Sequence, residues 1–81
     1  MTKDEKTYLD ILQGKKDHNI NFSDLKHLLE SMDFKCSTKG DHFVYRRPDT
    51  PIINIQPEGN HAKAYQIRQI RAIIIEKKLE V

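Results

Sequence analysis

Apolar and polar positions along the chain recur with periods that distinguish helix from strand. Leu25, Leu28, Leu29 and Met32 follow the i, i+3, i+4, i+7 spacing of a core-facing helical stripe. Asn21 reads as the N-cap of that helix, with Asp24 at N3 and with Ile20 and Leu25 placed for a hydrophobic staple. Asp33 is expected to end it. Upstream, Thr2-Lys3-Asp4-Glu5 has the form of a capping box. It predicts a short helix over about 3–13 that carries Tyr8, Leu9, Ile11 and Leu12 on one side and closes at Gly14. The polar run Lys15 to Asn19 reads as the link between the two.

The period then changes to two. Phe34 to Thr38 sets Phe34 and Cys36 against Lys35 and Ser37, as a half-buried strand does, and Cys36 is expected to be a small core residue. Gly40 and Asp41 make a turn. His42 to Arg47 forms a second strand, with His42, Val44 and Arg46 on one face and Phe43, Tyr45 and Arg47 on the other. Pro48-Asp49-Thr50-Pro51 is a rigid turn, and Ile52 to Gln56 a third strand closed by Pro57. Glu58 to Lys63 reads as a loop. A long last helix starts near Ala64, with Ile67, Ile70 and Ile74 facing inward and Ile73 beside them. The order α-α-β-β-β-α predicts an α+β domain over residues 1–81: a three-stranded antiparallel meander with the helices on one face and the other face open to a ligand.

Composition narrows this picture. Apolar residues make up 37% of the 81 and there is no Trp, so the core is modest. One cysteine excludes an intramolecular disulfide framework and fits a reducing, cytoplasmic setting. Early charge at Met1 to Glu5 reads against a signal peptide, and the apolar run Ala72 to Ile75 is far too short for a membrane span. The net charge of +2 is unevenly spread: residues 1–34 carry five lysines against seven acids, and residues 35–81 nine Lys/Arg against five acids. The basic half suits a polyanionic partner.

The candidate chemistry centres on His42, just after the Gly40 turn, with Lys35, Lys39, Arg46 and Arg47 around it. An imidazole titrates near neutral pH and can take the proton of a ribose 2′-OH, while nearby cations stabilise charge growing on the phosphate oxygens. Arg46, Arg47, Lys63, Arg68 and Arg71 come from a hairpin and a helix that a three-stranded sheet brings together, and they are the candidate phosphate contacts along with Lys39. Solvated faces of amphipathic elements would carry the same residues. His18, His27, His42, His61 and Cys36 lack the paired spacings of structural zinc sites, so no metal is expected. A Cys36–His42 nucleophile pair has no oxyanion hole to serve it, and no Gly-rich phosphate loop exists.

The run Lys39-Gly40-Asp41-His42-Phe43-Val44-Tyr45-Arg46-Arg47-Pro48 resembles the Gly-Ser-His turn and following strand of the HicA toxins, small bacterial mRNA interferases of type II toxin–antitoxin pairs. Leu25 to Glu30 with Phe34 is similar to that family's first helix and strand, and Asn54 to Pro57 with Lys63 to Arg71 to its downstream part. The resemblance covers residues 20–76, within a core of about 20–81. It implies a fold like a double-stranded-RNA-binding domain, α-β-β-β-α. It also implies cleavage of mRNA by His42 without a cofactor, and a HicB-like antitoxin that covers the His42 face in a hetero-oligomer. Asp41 stands where the family has Ser, and Phe43 where it has a second polar residue, often His. A carboxylate at Asp41 can orient the ring and favour its charged form, or repel phosphate. The helix over about 3–13 lies outside the shortest members. Two other classes remain open on the residues alone: a non-catalytic RNA-binding module and a protein-interaction domain.

Overall fold

A computed structural model describes all residues from Met1 to Val81. Helix α1 (Lys3–Gln13) begins at the capping box: Glu5 N donates to Thr2 Oγ1 and Thr2 N to Glu5 Oε1, both at 3.1 Å. Gly14 ends it in the left-handed region at φ +71°. Helix α2 (Phe22–Ser31) starts where Asn21 Oδ1 accepts from Asp24 N at 3.1 Å, and both staple residues, Ile20 and Leu25, are buried. It closes at Met32, with Asp33 left-handed at φ +68°, so the expected stop is one residue from the observed cap.

Strands β1 (Lys35–Lys39), β2 (His42–Arg46) and β3 (Ile53–Ile55) form an antiparallel sheet in that order. Gly40 at φ +63° followed by Asp41 gives the two-residue turn that matches the strand twist. The register puts Lys35, Ser37, Lys39, His42, Val44, Arg46 and Asn54 on one face, and Cys36, Thr38, Phe43, Tyr45, Ile53 and Ile55 on the other. Tyr45, Ile53 and Ile55 are buried beneath the helices. The fold is therefore α+β, with the helices packed on one face of a three-stranded meander.

Helix α3 (Ala64–Lys77) buries Gln66, Ile67, Ile70 and Ile74. One cluster of 16 buried apolar residues runs from Ile11 to Leu79, and Leu28 and Ile70 lie inside it. Helix α1 belongs to this core: Ile11 is fully buried, and the Tyr8 hydroxyl donates to Leu79 O at 2.6 Å, tying the first helix to the chain end of the last.

Three expectations are corrected. Cys36 is exposed rather than in the core, because β1 is an edge strand and is exposed along its length. Leu9 faces out, since α1 packs through Thr7 and Ile11 with Tyr8 and Leu12 at the margin. The stretch after Pro57 is a small hairpin, β4 (Pro57–Glu58) and β5 (His61–Ala62), and not a loop. Its backbone is held by the segment that leads into α2, with Phe22 N donating to Asn60 O and Ala62 N to Ile20 O, both at 2.9 Å.

Candidate functional site

The open sheet face and the start of α3 frame one depression. His42 projects from the first position of β2, directly across the ladder from Lys39. Val44 and Arg46 follow on the same face, and Asn54 lies across from Val44. Beside them opens a cavity of about 220 Å³ lined by His42, Asn54, Gln56, Tyr65 and Gln66.

A chain of hydrogen bonds fixes its floor. Gln66 is buried, and its Oε1 accepts from Gln56 N at 3.2 Å while its Nε2 donates to the Tyr65 hydroxyl at 3.4 Å. The Gln56 side chain is held at both ends: Nε2 donates to Asp41 Oδ2 at 2.9 Å, and Lys63 Nζ donates to Oε1 at 3.3 Å. Gln56 therefore links the β1–β2 turn to the entry of α3. The hydrogen bond from Gln56, then Asp41's own backbone N–H, then the nearby His42 and Lys63 hold the Asp41 carboxyl below its ordinary value of 3.8. Asp41 is thus an anion beside the imidazole, with Oδ1 at 3.8 Å from His42 Nε2, beyond hydrogen-bond reach. The His42 imidazole makes no hydrogen bond within the protein and is 52% exposed.

The candidate cations divide. Lys39, Arg46 and Arg68 are exposed and make neither ion pair nor side-chain hydrogen bond. Arg68 lies three residues after Tyr65, on the same flank of α3. Lys63 reaches the site through Gln56. Arg47 and Arg71 are engaged elsewhere. Arg47 points to the covered side, where Nη1 donates to Met32 O at the end of α2 (3.1 Å). Arg71 grips Asp17 in two bonds of 3.0 and 2.7 Å and donates to Ile11 O at 3.2 Å. The structure therefore sets Lys39 across from His42 and ties Lys63 to the same cavity through Gln56, leaves Arg46 at the far end of β2 on the same face, sets Arg68 along the flank of α3, and separates Arg47 and Arg71 from them.

Asn54, Gln56, Tyr65 and Gln66 escaped the sequence reading. One signal was present for Gln66: it stands four residues before Ile70 and eight before Ile74, on the inward stripe, where a polar residue needs a partner. Nowhere do three His, Cys, Asp or Glu side chains converge as a metal cluster. No helix is long and apolar enough to cross a membrane. Comparison with protein-family models, curated proteins and solved structures finds no match to this chain.

Proposed function

We propose that the protein is a ribonuclease toxin of the HicA type, with a fold like a double-stranded-RNA-binding domain, which cuts mRNA by acid–base chemistry at His42. The observation that carries this reading is an unpartnered, half-exposed imidazole on an open sheet face, with Lys39 directly across the ladder and Arg46 further along the same strand. Phosphates lying along that face bring a 2′-OH to the ring. His42 takes its proton, the 2′-oxygen attacks phosphorus, and the 5′-oxygen leaves and picks up a proton from water. Lys39 offsets the charge that grows on the phosphoryl oxygens, and Arg46, four residues along the strand, meets a neighbouring phosphate of the same RNA. Asp41, tied down by Gln56, keeps its negative charge beside the ring, with Oδ1 at 3.8 Å from His42 Nε2.

The products are a 2′,3′-cyclic phosphate and a 5′-OH, DNA is spared, and cleavage continues in EDTA. His42→Ala is expected to lower the cleavage rate by about 10²–10⁴ while leaving RNA binding intact. Equal rates for the purified variant and the parent would refute the assignment. Salt-dependent RNA binding without cleavage by the parent would point to a binding module instead. An acidic, HicB-like antitoxin laid over the His42 face would compete with RNA for Arg46 and Arg68. Charge reversal at both is expected to weaken both complexes, and an unchanged antitoxin affinity would move that partner to another face.

A further inference from the structure

Tyr65 is the one Phe or Tyr of the chain that stands exposed, with half of its surface open to solvent. It stands over the cavity that His42 lines. Asn54, on the same wall, makes no side-chain hydrogen bond in the protein, so its amide presents a free donor and a free acceptor. Gln56 and Gln66 are already bonded and form a rigid polar floor. The cavity, at about 220 Å³, is smaller than the ~300 Å³ at which sites for drug-sized ligands begin. It fits one planar ring system.

We propose that this cavity is a subsite for a single unpaired nucleobase, stacked on Tyr65 and hydrogen-bonded at its edge by the Asn54 amide. The inference rests on the RNA reading above and adds what part of the RNA is gripped. Unpaired bases offer both a π-face and a free Watson–Crick edge, which is how single-stranded RNA is commonly held. A base inside a duplex offers neither, because its faces are stacked and that edge is paired. The preferred substrate is then a single-stranded segment, although the fold resembles that of duplex-RNA binders. Lys39 and Arg46 serve its phosphates, and His42, on the wall of the same cavity, faces the sugar of the seated base.

The test uses fluorescein-labelled RNA with 2′-fluoro substitution, which cannot be cut through the 2′ position, as a short single strand and as the matching blunt duplex. The parent is expected to bind the single strand more tightly. Tyr65→Ala is expected to weaken single-strand binding about 5- to 150-fold, the range for loss of one stacked base. Tyr65→Phe keeps the ring and is expected to bind as the parent does. Asn54→Ala is expected to weaken binding less and to flatten any base preference. The thermal midpoint of Asn54→Ala should match the parent, and those of Tyr65→Ala and Tyr65→Phe, which both take from Gln66 Nε2 its partner, should fall alike, so that Tyr65→Phe separates the lost stack from the lost bond. Parent-like binding by Tyr65→Ala, tighter binding of the duplex, or binding of neither strand overturns the inference. The two readings can fail separately. If the parent cuts no RNA but Tyr65→Ala still loses the single strand, the nuclease reading fails and the base subsite stands. If RNA is cut and Tyr65→Ala binds normally, the subsite fails and the nuclease reading stands.

Discussion

Arg71 and Arg68 sit one turn apart on α3 and serve different sides of the molecule. On the side packed against α1, Arg71 is bonded to Asp17 and Ile11 O, and its Nη1 stands 2.9 Å from where a Cβ on Gly14 would be. On the flank that continues from Tyr65, Arg68 makes no bond. The same division runs through other residue types. His27 is hydrogen-bonded to Asp4, whereas His42 is not hydrogen-bonded. Lys26 lies 4.8 Å from the centre of the Phe43 ring, whereas Lys39 makes neither an ion pair nor a cation–π contact. On the covered side, polar side chains are spent on the fold. On the open side Gln56, Gln66, Asp41 and Lys63 bond one another, while His42, Lys39, Arg46, Asn54 and Arg68 remain unspent, and that surplus is the physical basis for assigning a ligand there.

The covered side should therefore break under substitution and the open side should not. Leu28 is fully buried at the centre of the core. Leu28→Ala is expected to cost about 2–5 kcal/mol, a large part of the stability of a domain this size. Thermal unfolding measures it, and an unchanged midpoint would mean that α2 faces the sheet with another stripe.

The arginine pair tests the division more finely. The side chains of Arg71 and Asp17 are 19% and 13% exposed. Arg71→Ala should cost more than the ~1 kcal/mol of a surface pair and less than the ~3–5 kcal/mol of a fully buried one. Arg68→Ala should leave the midpoint unchanged and lower the slope of log K against log salt for RNA by about 1. If the two variants exchanged these effects, the division between spent and unspent charge would be wrong.

Much of the covered side was legible from short-range signals. The Thr2–Glu5 and Asn21–Asp24 caps lie within one helical turn, and the Leu25 to Met32 stripe within two. Two-residue periodicity over His42 to Arg46 correctly set Tyr45 inward and His42 outward. What failed to show was tertiary. Asp17 is 54 residues from Arg71, and Met32 is 15 from Arg47, so both arginines read as free. Nothing local marks β1 as an edge, so Cys36 looked buried. The β4–β5 strands are two residues long and are completed by the backbone of Ile20 to Phe22, where the chain enters α2, which no local period can reveal. His42 could be found because a Gly turn and a run of cations adjoin it. The Gln56–Asp41–Lys63 chain could not, because its members meet only after the sheet and α3 come together.

Tyr45 offers a test of smaller size. Its hydroxyl is buried without a hydrogen-bond partner. Burial pushes its ionisation well up from the usual value, and the cross-strand neighbour Cys36 pushes it further without bonding at acceptable geometry. Tyr45→Phe removes an unsatisfied polar group and keeps the ring. The expected result is a gain of about 1 kcal/mol or no change, read from the thermal midpoint. A clear loss would mean that the hydroxyl has a partner, and that the covered side is fully satisfied after all.

The smallest effect belongs to the histidine on the covered half. His27 Nδ1 donates to Asp4 Oδ1 at 2.7 Å, joining α2 to the first turn of α1. That hydrogen bond first, and the Asp4 charge next, raise the His27 value above its ordinary 6.5. A raised folded value means that the folded state holds the proton more tightly than the unfolded chain does. The contribution to stability is whole below 6.5 and disappears as pH climbs through the raised value. The pair is solvent-exposed at the imidazole and screened by salt, so the effect is confined to a small, pH-dependent shift. The midpoint of the parent should exceed that of His27→Gln on the acidic side and converge with it on the alkaline side. A gap that stays constant with pH would assign His27 a packing role and remove the charge from the account. His42→Ala, made for the cleavage assay, is the matching probe on the open side. With no bond to lose, it should shift stability by no more than about 0.5 kcal/mol, so that any loss of cleavage is chemical in origin.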